Sequence, residues 1–267
     1  MKRLILFLSL IGLIGIFYFT LPDNQPKVIV CDVGQGDAIL AEYKNIQILF
    51  DVGPNNKKVL RCLENHMPFW DKTIEVVVLS HGDSDHVGGL DDVLKSYKVG
   101  KFFSNGYLDK EIEQKISSEK ISQNDVISLS LFDFEVVWPE PSVAKAMDGN
   151  ENSVAGILMV KNSDWSMFLT GDMEMEAEQK LVWRGVLRQG YGTLENGVDV
   201  LKVSHHGSRT ATSQELLETI RPKIGVISVG KNNRFGHPTD EILGRLKNIG
   251  TEIKRTDEVG EIVLEIY

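Results

Sequence analysis

The sequence predicts an α/β fold in which two sheets are flanked by helices, preceded by one apolar N-terminal helix. Three observations support this fold class. The 267 residues are 42% apolar and 25% charged, which is typical of an ordinary globular domain. Apolar runs with strand character outnumber segments of helical periodicity by about two to one. An unbroken apolar run stands ahead of this pattern, at the N-terminus.

The apolar run over residues 4–21 follows Lys2 and Arg3 and is typical of a membrane anchor. Roughly eighteen helical residues reach about 27 Å, near the thickness of a bilayer core. Because no small-x-small cleavage site follows, we expect residues 1–21 to be an uncleaved single-pass anchor, with a cleaved signal peptide as the alternative. The basic residues before the run place the following domain outside the cytoplasm in either case.

After a polar spacer at residues 22–26, no long Pro-, Gly- or Ser-rich linker divides the chain, so one domain is expected from residue 27 to 267. Its strands are predicted from apolar runs and alternation at residues 28–33, 38–43, 46–50, 74–79, 99–103, 126–129, 132–138, 155–160, 166–170, 198–203, 224–229, 252–255 and 261–266. Its helices are predicted from helical periodicity at residues 57–65, 90–96, 173–187, 213–219 and 239–248. Several of them open with a Ser, Asp or Thr that can cap the first turn.

The net charge of −9 opposes sequence-independent binding of nucleic acid through bulk charge. A polyanionic substrate would therefore depend on local cations. The two cysteines, Cys31 and Cys62, permit one disulfide outside the cell, and two buried apolar thiols are at least as consistent with the pattern.

Candidate functional residues collect where five predicted strands end. Open α/β sheets place ligands at the carboxyl ends of their strands. Five of the six histidines lie in these loops, and only His66 falls in a predicted helix, where we interpret it as a surface or packing residue. The His and Asp residues at the strand ends are Asp51, His81, Asp83, Asp85, His86, Asp172, His205, His206 and His237.

The densest motif is His81-x-Asp83-x-Asp85-His86, with four metal-competent side chains in six residues. Alternate side chains of an extended loop point to one side, while the adjacent pair Asp85-His86 can face a second centre. A solvated polar turn is the alternative, but it does not explain this density. We therefore expect two neighbouring divalent metal ions.

This arrangement resembles the metallo-β-lactamase fold, whose metal motif is His-x-His-x-Asp-His. More narrowly, residues 32–38, 80–89, 169–172, 202–208 and 228–238 are similar, in this order, to the metallo-hydrolase domain of the ComEC competence proteins, which act in DNA uptake. The resemblance extends over residues 27–267. It implies a four-layer αββα metallo-β-lactamase sandwich with a two-metal site along one edge of the sheets.

The resemblance also implies which residues bind metal. The implied ligands are His81, Asp83, Asp85, His86, Asp172 and His205. The first two would hold one metal, the adjacent Asp-His pair would hold the other, and Asp172 would bridge them. His205 would complete the second metal's set, and His206 competes with it for this position.

Further roles follow from the same resemblance. Asp51 would orient the ligands through hydrogen bonds rather than bind metal. His237 would stand near the substrate, as a proton donor or a phosphate contact. Asp85, Asp172 and His237 are therefore the predicted catalytic residues.

Two departures from the general fold concern the metal. Asp83 replaces the usual histidine, and no histidine lies between His86 and His205, where Asn152 becomes an alternative ligand. Carboxylate and amide oxygens make the first site harder, so manganese competes with zinc as the expected ion.

We expect hydrolysis by water that the two ions activate. A phosphodiester is the favoured substrate, because local cations and backbone N–H groups flank the site. The predicted phosphate contacts are Lys202, Ser208, Arg209, Lys231 and Arg234. The alternatives are hydrolysis of a smaller ester (a phosphocholine or phospholipid head group, a lactone or a β-lactam) and a catalytically silent surface module.

The predicted function is thus an anchored, extracytoplasmic, metal-dependent phosphodiesterase or nuclease that acts on DNA. The membrane would be contacted through the N-terminal helix. Because the chain has a single apolar span, the DNA-uptake channel that it would serve is expected to be a separate protein.

Overall fold

Two seven-stranded sheets lie face to face in the computed structural model, which describes residues 24–141, 153–185 and 197–267. The first sheet has the strand order β14-β1-β2-β3-β4-β5-β6 and the second has the order β13-β12-β11-β10-β9-β8-β7. The strands of the first sheet are β1 (Lys27–Val30), β2 (Ile39–Tyr43), β3 (Ile46–Phe50), β4 (Thr73–Leu79), β5 (Lys98–Ser104), β6 (Ser118–Lys120) and β14 (Ile262–Glu265). Those of the second are β7 (Val126–Leu129), β8 (Phe132–Trp138), β9 (Ala155–Val160), β10 (Ser166–Leu169), β11 (Val200–Lys202), β12 (Ile224–Ile227) and β13 (Glu252–Arg255).

Helices cover the outer face of each sheet. In chain order they are α1 (Lys58–His66), α2 (Ser84–Val87), α3 (Leu90–Ser96), α4 (Lys110–Lys115), α5 (Met175–Trp183), α6 (Gln214–Ile220), α7 (Asp240–Asn248) and α8 (Thr256–Val259). A short 3₁₀ turn, Ser204–Gly207, follows β11. The predicted α/β sandwich of two sheets between helices is confirmed.

The core forms three apolar layers. The central layer lies between the sheets, where the rings of Phe50 and Phe134 are 4.8 Å apart. A second layer packs α1, α3 and α4 on the first sheet, and a third packs α5, α6 and α7 on the second. Strand side chains alternate between these layers, as residues of a sheet buried on both faces must.

Each sheet is antiparallel in one half and parallel in the other. The parallel pairs join β3 through β6 in the first sheet and β10 through β13 in the second. Because parallel strands end at the same edge, the loops after β3, β4, β10, β11 and β12 are brought together. The polar residues at the predicted strand ends lie in these loops.

The predicted elements differ from the observed ones mainly at short, polar segments. The helix predicted at residues 90–96 coincides with α3, and α1, α6 and α7 begin within one residue of their predicted positions. Strand β6 was missed because Ser-Glu-Lys carries no apolar signal, and its pairing with β5 decides its conformation instead. The helix predicted at residues 173–187 is observed as Met175–Trp183, and residues 186 and 187 lie outside the described residues.

Within residues 24–141, 153–185 and 197–267, no helix combines the length and apolarity needed to cross a bilayer. The anchor expected at residues 1–21 lies outside the described residues.

The two cysteines form a disulfide that ties the end of β1 to α1. Cys31 and Cys62 are both buried, and their Cα atoms are 5.8 Å apart. Of the two interpretations of the sequence, the structure contains the disulfide. It fixes the start of the loop at residues 32–38, which runs from β1 to β2 beside the polar edge.

Reduction of this disulfide is expected to destabilise the fold. Because it closes a loop with a sequence separation of 31 residues, its loss should lower the free energy of unfolding by about 3.5 kcal/mol. The measurement is urea unfolding of the chelated protein with and without reductant. Reductant should not move the unfolding curve of a Cys62→Ala variant, and coincident curves for oxidised and reduced wild type would contradict the expectation.

Candidate metal centre

One group of metal-competent side chains joins the two sheets. Ligand atoms of His81, His86 and Asp172 all lie within 4.8 Å of one another, and all three residues are buried. His86 Nε2 is 3.3 Å from Asp172 Oδ1, and the rings of His81 and His86 are 4.2 Å apart. Asp83 stands at the open side of this group, where its Oδ2 is 3.6 Å from His81 Nε2.

A second group shares His86 with the first. It consists of Asp85, His86 and His206, whose ligand atoms again lie within 4.8 Å of one another. His206 Nε2 is 3.4 Å from Asp85 Oδ2 and 3.7 Å from Asp172 Oδ2. Asp172 therefore adjoins both groups, as a residue between two metal positions would.

Several buried atoms of these groups, and one of the neighbouring Asp37, have no hydrogen-bond partner. A buried polar atom without a partner costs about 1–3 kcal/mol, so native folds rarely keep several together. These atoms are His81 Nε2, His86 Nε2, His206 Nε2, Asp172 Oδ1 and Asp37 Oδ1. Imidazole nitrogens and carboxylate oxygens that converge without donors fit divalent cations such as zinc or manganese.

The charges of the metal-free centre favour a cation. Burial alone would lower the pKa of His86, but the charges of Asp172 and Asp51 raise it well above its ordinary value. Burial would raise the pKa of Asp85, but the contact with the His206 ring and the charges of His86 and His206 lower it to about 2. Without a metal ion, a proton on His86 supplies part of the positive charge that the carboxylates require.

The outer nitrogens of two histidines are held by Asp51 and Ser80. Asp51 Oδ2 is 2.8 Å from His86 Nδ1 and accepts a 2.7 Å hydrogen bond from Ser80 Oγ. The same hydroxyl is 2.9 Å from His81 Nδ1. Because their Nδ1 atoms are engaged in this way, both histidines direct Nε2 into the centre.

The 3₁₀ turn after β11 brings His206, rather than His205, into the second group. His206 Nδ1 contacts the Ser228 carbonyl at 2.8 Å, so its Nε2 faces the centre. His205 lies at the rim, with Nδ1 2.7 Å from Glu174 and Nε2 3.8 Å from Asp172. Burial would lower the pKa of His205, but the hydrogen bond with Glu174 and the charge of Asp172 raise it.

Both histidines of this turn have positive φ, 47° for His205 and 54° for His206. Such left-handed conformations cost energy outside glycine and persist where the surroundings impose them. Buried Glu178 supplies part of that support, since it accepts hydrogen bonds from the backbone N–H groups of Thr212 (2.6 Å) and Ser213 (2.7 Å). Thr212 Oγ1 in turn accepts from the N–H of Ser204 at 3.1 Å.

Lys202 lies beneath the centre instead of at its surface. It is fully buried, and its ammonium forms a short ion pair with Asp37 and donates to the Gly171 carbonyl at 3.0 Å. Its Nζ is also 3.8 Å from Asp172 Oδ1. The predicted contact between Lys202 and a substrate phosphate does not fit this position, because the ammonium is enclosed by protein carboxylates.

Asp37 was not assigned a role from the sequence, although it stands in a motif that carries the family resemblance. Its backbone N–H donates to the Asp85 carbonyl at 3.2 Å, which ties the β1–β2 loop to the metal motif. Gly36, with φ of 135°, permits this approach, since a Cβ there would lie 2.2 Å from the same carbonyl oxygen. An aspartate directly after the Gly34-Gln35-Gly36 turn was the available sequence signal.

The remaining predicted phosphate contacts lie around the rim. Arg209, Lys231 and Arg234 are exposed, whereas the hydroxyl of Ser208 is 2.8 Å from that of Thr210. The ring of His237 is 5.9 Å from the ring of His205. Burial and the nearby histidine charges lower the pKa of His237, so it is neutral at pH 7.

Asn152, the predicted alternative ligand, lies outside the described residues. Its neighbour Ser153 is at the centre, where its Oγ accepts from the Asp172 N–H at 3.0 Å and is 3.4 Å from His81 Nδ1. His66 lies elsewhere, with Nε2 3.0 Å from Glu261. The cysteine beside that pair is Cys62, whose sulfur is already in the disulfide.

Known proteins resemble the chain at two levels. Residues 31–137 match the family described as the metallo-β-lactamase superfamily. ComE operon protein 3 of Bacillus subtilis is 28% identical over 92% of this chain and 34% of its own length. Competence protein ComA of Neisseria gonorrhoeae is 30% identical over 96% of this chain and 34% of its own length. Recombination protein 2 of Haemophilus influenzae is 28% identical over 90% of this chain and 29% of its own length. The chain thus spans about a third of the length of these relatives.

Solved structures share the fold at low sequence identity. YhfI from Bacillus subtilis, a metallo-β-lactamase fold protein, superposes with a TM-score of 0.61 at 12% identity, over 90% of this chain and 99% of that protein. CmlA, a diiron β-hydroxylase from Streptomyces venezuelae, gives a TM-score of 0.60 at 11% identity, over 92% of this chain and 55% of that protein. At these identities the likeness concerns the fold alone.

Replacing Lys202 by methionine is expected to cost about 3–5 kcal/mol in the free energy of unfolding, because Asp37 would be left as a buried, uncompensated charge. A second change, Asp37→Asn, should recover part of this loss by removing that charge. The measurement is urea unfolding in the presence of chelator, so that metal binding does not contribute.

Lys223→Met is the matched control for this cycle. Its ammonium pairs with Asp199 at 2.7 Å but the side chain is 72% exposed, so its loss should cost less than about 1 kcal/mol. Equal costs for the two lysine variants would contradict the role of Lys202 as a buried counter-charge.

Proposed function

Because the chain is a metallo-β-lactamase-fold, metal-dependent hydrolase that resembles the ComEC-like competence proteins, we propose that it is a phosphodiesterase that hydrolyses DNA. The name of one relative refers to competence and that of another to recombination, and these names motivate the choice of DNA within the class of phosphodiesters. The enzyme would act in the uptake or degradation of external DNA, beside a channel formed by another protein.

The convergence of unpartnered ligand atoms at the joined edge of the two sheets carries this proposal. Three histidine Nε2 atoms and one Asp172 oxygen are buried without a hydrogen-bond partner, in two groups that share His86. A silent surface module would have no reason to keep this set, since the same buried positions filled by paired or apolar groups would be more stable.

The charge balance supports two divalent ions. The carboxylates that contact the ligand histidines or Lys202 are those of Asp37, Asp51, Asp83, Asp85 and Asp172. With neutral histidines, five carboxylates and the ammonium of Lys202 leave four negative charges, which two divalent ions neutralise. Three of these carboxylates, those of Asp37, Asp51 and Asp172, are buried, and buried charge is tolerated in proteins only when it is compensated.

We assign His81, Asp83 and Asp172 to one ion and Asp85, His86, His206 and Asp172 to the other. We place His206 ahead of His205 in this assignment, because His205 is engaged by Glu174 at the rim. Two divalent ions bound there would supply an activated water and stabilise the negative charge that develops on the phosphoryl oxygens. Because Asp83 and Asp172 supply oxygen ligands, we expect either manganese or zinc as the metal.

The residues at the rim would handle the substrate. Neutral His237 retains one ring N–H, which can donate a hydrogen bond to a phosphoryl oxygen or to the leaving oxygen. His205, which Glu174 holds and whose pKa is raised, would stand next to it as a second contact for the phosphate. Arg209, Lys231 and Arg234 would contact the phosphates on either side of the scissile bond.

We place the enzyme outside the cytoplasm, anchored by residues 1–21. The basic residues before that apolar run support this orientation. The disulfide between Cys31 and Cys62 supports it independently, because disulfides persist in oxidising compartments and are rare in the cytosol.

The test of the nuclease is cleavage of labelled single- and double-stranded DNA by the full chain in detergent. After chelation, restored manganese or zinc should return activity, and an Asp85→Ala, His86→Ala variant should lose it by at least about 100-fold, with bound metal falling from two ions per chain. His66→Ala, a histidine change away from the centre, should leave both activity and metal content unchanged.

Two outcomes would redirect this proposal. Intact DNA together with turnover of a lactone or a phosphocholine ester would move the substrate to the smaller esters. Wild-type protein that binds no divalent ion would overturn the metal centre itself.

Binding of DNA should depend on salt through the rim cations. Replacing Arg209 and Lys231 by glutamine is expected to reduce the slope of log K against log salt by about one per lost phosphate contact. The measurement is fluorescence anisotropy of an oligonucleotide between low and moderate salt. As a control, Lys247→Gln removes an exposed charge from α7 and should leave the slope unchanged. Equal slopes for wild type, the Arg209 and Lys231 variant and Lys247→Gln would show that Arg209 and Lys231 do not contact the DNA phosphates.

A further inference from the structure

We propose that the loop after β12, residues 230–238, carries a subsite for one unstacked nucleobase, with Phe235 as its stacking platform. This inference rests on the proposed hydrolysis of nucleic acid at the metal centre. On this proposal, contact with Phe235 makes the enzyme prefer phosphodiesters that carry a nucleobase over phosphodiesters that carry none.

The ring of Phe235 is 53% exposed although it lies close to the candidate centre. It stacks on the ring of His237 with centroids 5.9 Å apart and an interplanar angle of 28°. The ring of His237 is in turn 5.9 Å from that of His205, whose Nε2 is 3.8 Å from Asp172. Three rings therefore lead outward from the metal-competent residues to an exposed aromatic surface.

Asn233 fixes this loop in shape. Its Nδ2 donates to the carbonyls of Gly230 (3.0 Å) and His237 (2.6 Å), and its Oδ1 accepts from the N–H groups of Phe235 and His237, both at 3.1 Å. The backbone that presents Phe235 is thus set without burial of the phenyl ring. A binding surface held in place before the ligand arrives loses little entropy on binding.

The loop is also fixed to the turn that carries the histidines. The N–H of Thr239 donates to the Gly207 carbonyl at 3.0 Å. A Cβ at Gly207 would lie 2.6 Å from Cβ of Pro238, so glycine allows the two segments to touch. The position of Phe235 relative to the centre is therefore determined by direct contacts.

Charge favours this side of the centre for a polyanion. The guanidinium of Arg234 is 5.0 Å from the centroid of the Phe235 ring, and Lys231 is exposed on the same loop. Arginine and phenylalanine side by side offer a base both a π-surface and a cation.

The other side of the centre is acidic. A groove of about 480 Å³ begins at Asp83 and is lined by Asp91, Asp109 and Glu111. Lys115 also lines it, but its ammonium is paired with Asp91 at 3.0 Å and Glu111 at 2.9 Å. Phosphates beyond the scissile one are repelled there, so a strand would extend across the 230–238 loop instead.

Base stacking requires a base that has left its own helix, because the faces of paired bases in a duplex are covered. The subsite thus selects a single strand or a melted end, and accepts all bases, since each has a π-face.

The test compares ester pairs that differ only in the nucleoside, thymidine 5′- and 3′-p-nitrophenyl phosphate against methyl p-nitrophenyl phosphate. The preference is the kcat/KM of the better thymidine ester divided by that of methyl p-nitrophenyl phosphate. In the metal-loaded full chain, Phe235→Ala should lower this ratio by at least about fivefold. Phe235→Trp should restore the preference. Phe69→Ala, which removes another exposed aromatic ring, should not change it.

A binding measurement separates this inference from the proposed function. Fluorescence anisotropy measures the affinity for oligothymidylate and for an abasic strand of equal length, and it does not require turnover. Wild type should prefer the strand with bases, and Phe235→Ala should remove this preference. An unchanged preference in Phe235→Ala, in either measurement, would overturn the platform. If wild type hydrolysed none of the three esters, the phosphodiesterase would be overturned, and the binding preference would still decide the role of Phe235.

Discussion

The buried ammonium of Lys202 is the interaction on which the arrangement of the centre depends. It comes from the second sheet and pairs with Asp37 from the first, directly beneath the point where Asp172 and the histidines converge. A surface ion pair would contribute little to stability. Here both partners are removed from water, so solvent cannot stabilise either charge if its partner is lost. The pair therefore joins the sheets and sets the charge of the site before any metal binds.

Around this pair, each histidine of the centre is held from behind. Ser80 and Asp51 engage the Nδ1 atoms of His81 and His86, and the Ser228 carbonyl engages that of His206. These partners belong to loops at the ends of parallel strands, so strand order decides their relative positions. The buried, partner-free atoms that result are unfavourable in the metal-free protein and favourable once cations are present.

The pattern of apolar residues along the chain was sufficient to predict the two-sheet fold. Alternating or continuous apolar runs show directly which faces of a strand are buried. It was also sufficient to gather the aspartates and histidines at one edge. It was insufficient for Lys202, because a lone lysine at the end of a strand has the same sequence signature whether it is solvated or buried. It did not separate His205 from His206 either, since only the left-handed turn that Glu178 supports decides which ring faces inward. Asp37 was missed because its role exists only through contacts with Lys202 and His206, which are distant in sequence.

The centre draws its side chains from segments that are far apart along the chain, from Asp37 to His206. During synthesis, a nascent chain that has emerged only through β9 contains the motif at residues 81–86 but lacks Asp172 and His206. Non-local sites of this kind form only when long loops have closed. The complete set of metal-competent side chains therefore exists only after the domain has folded.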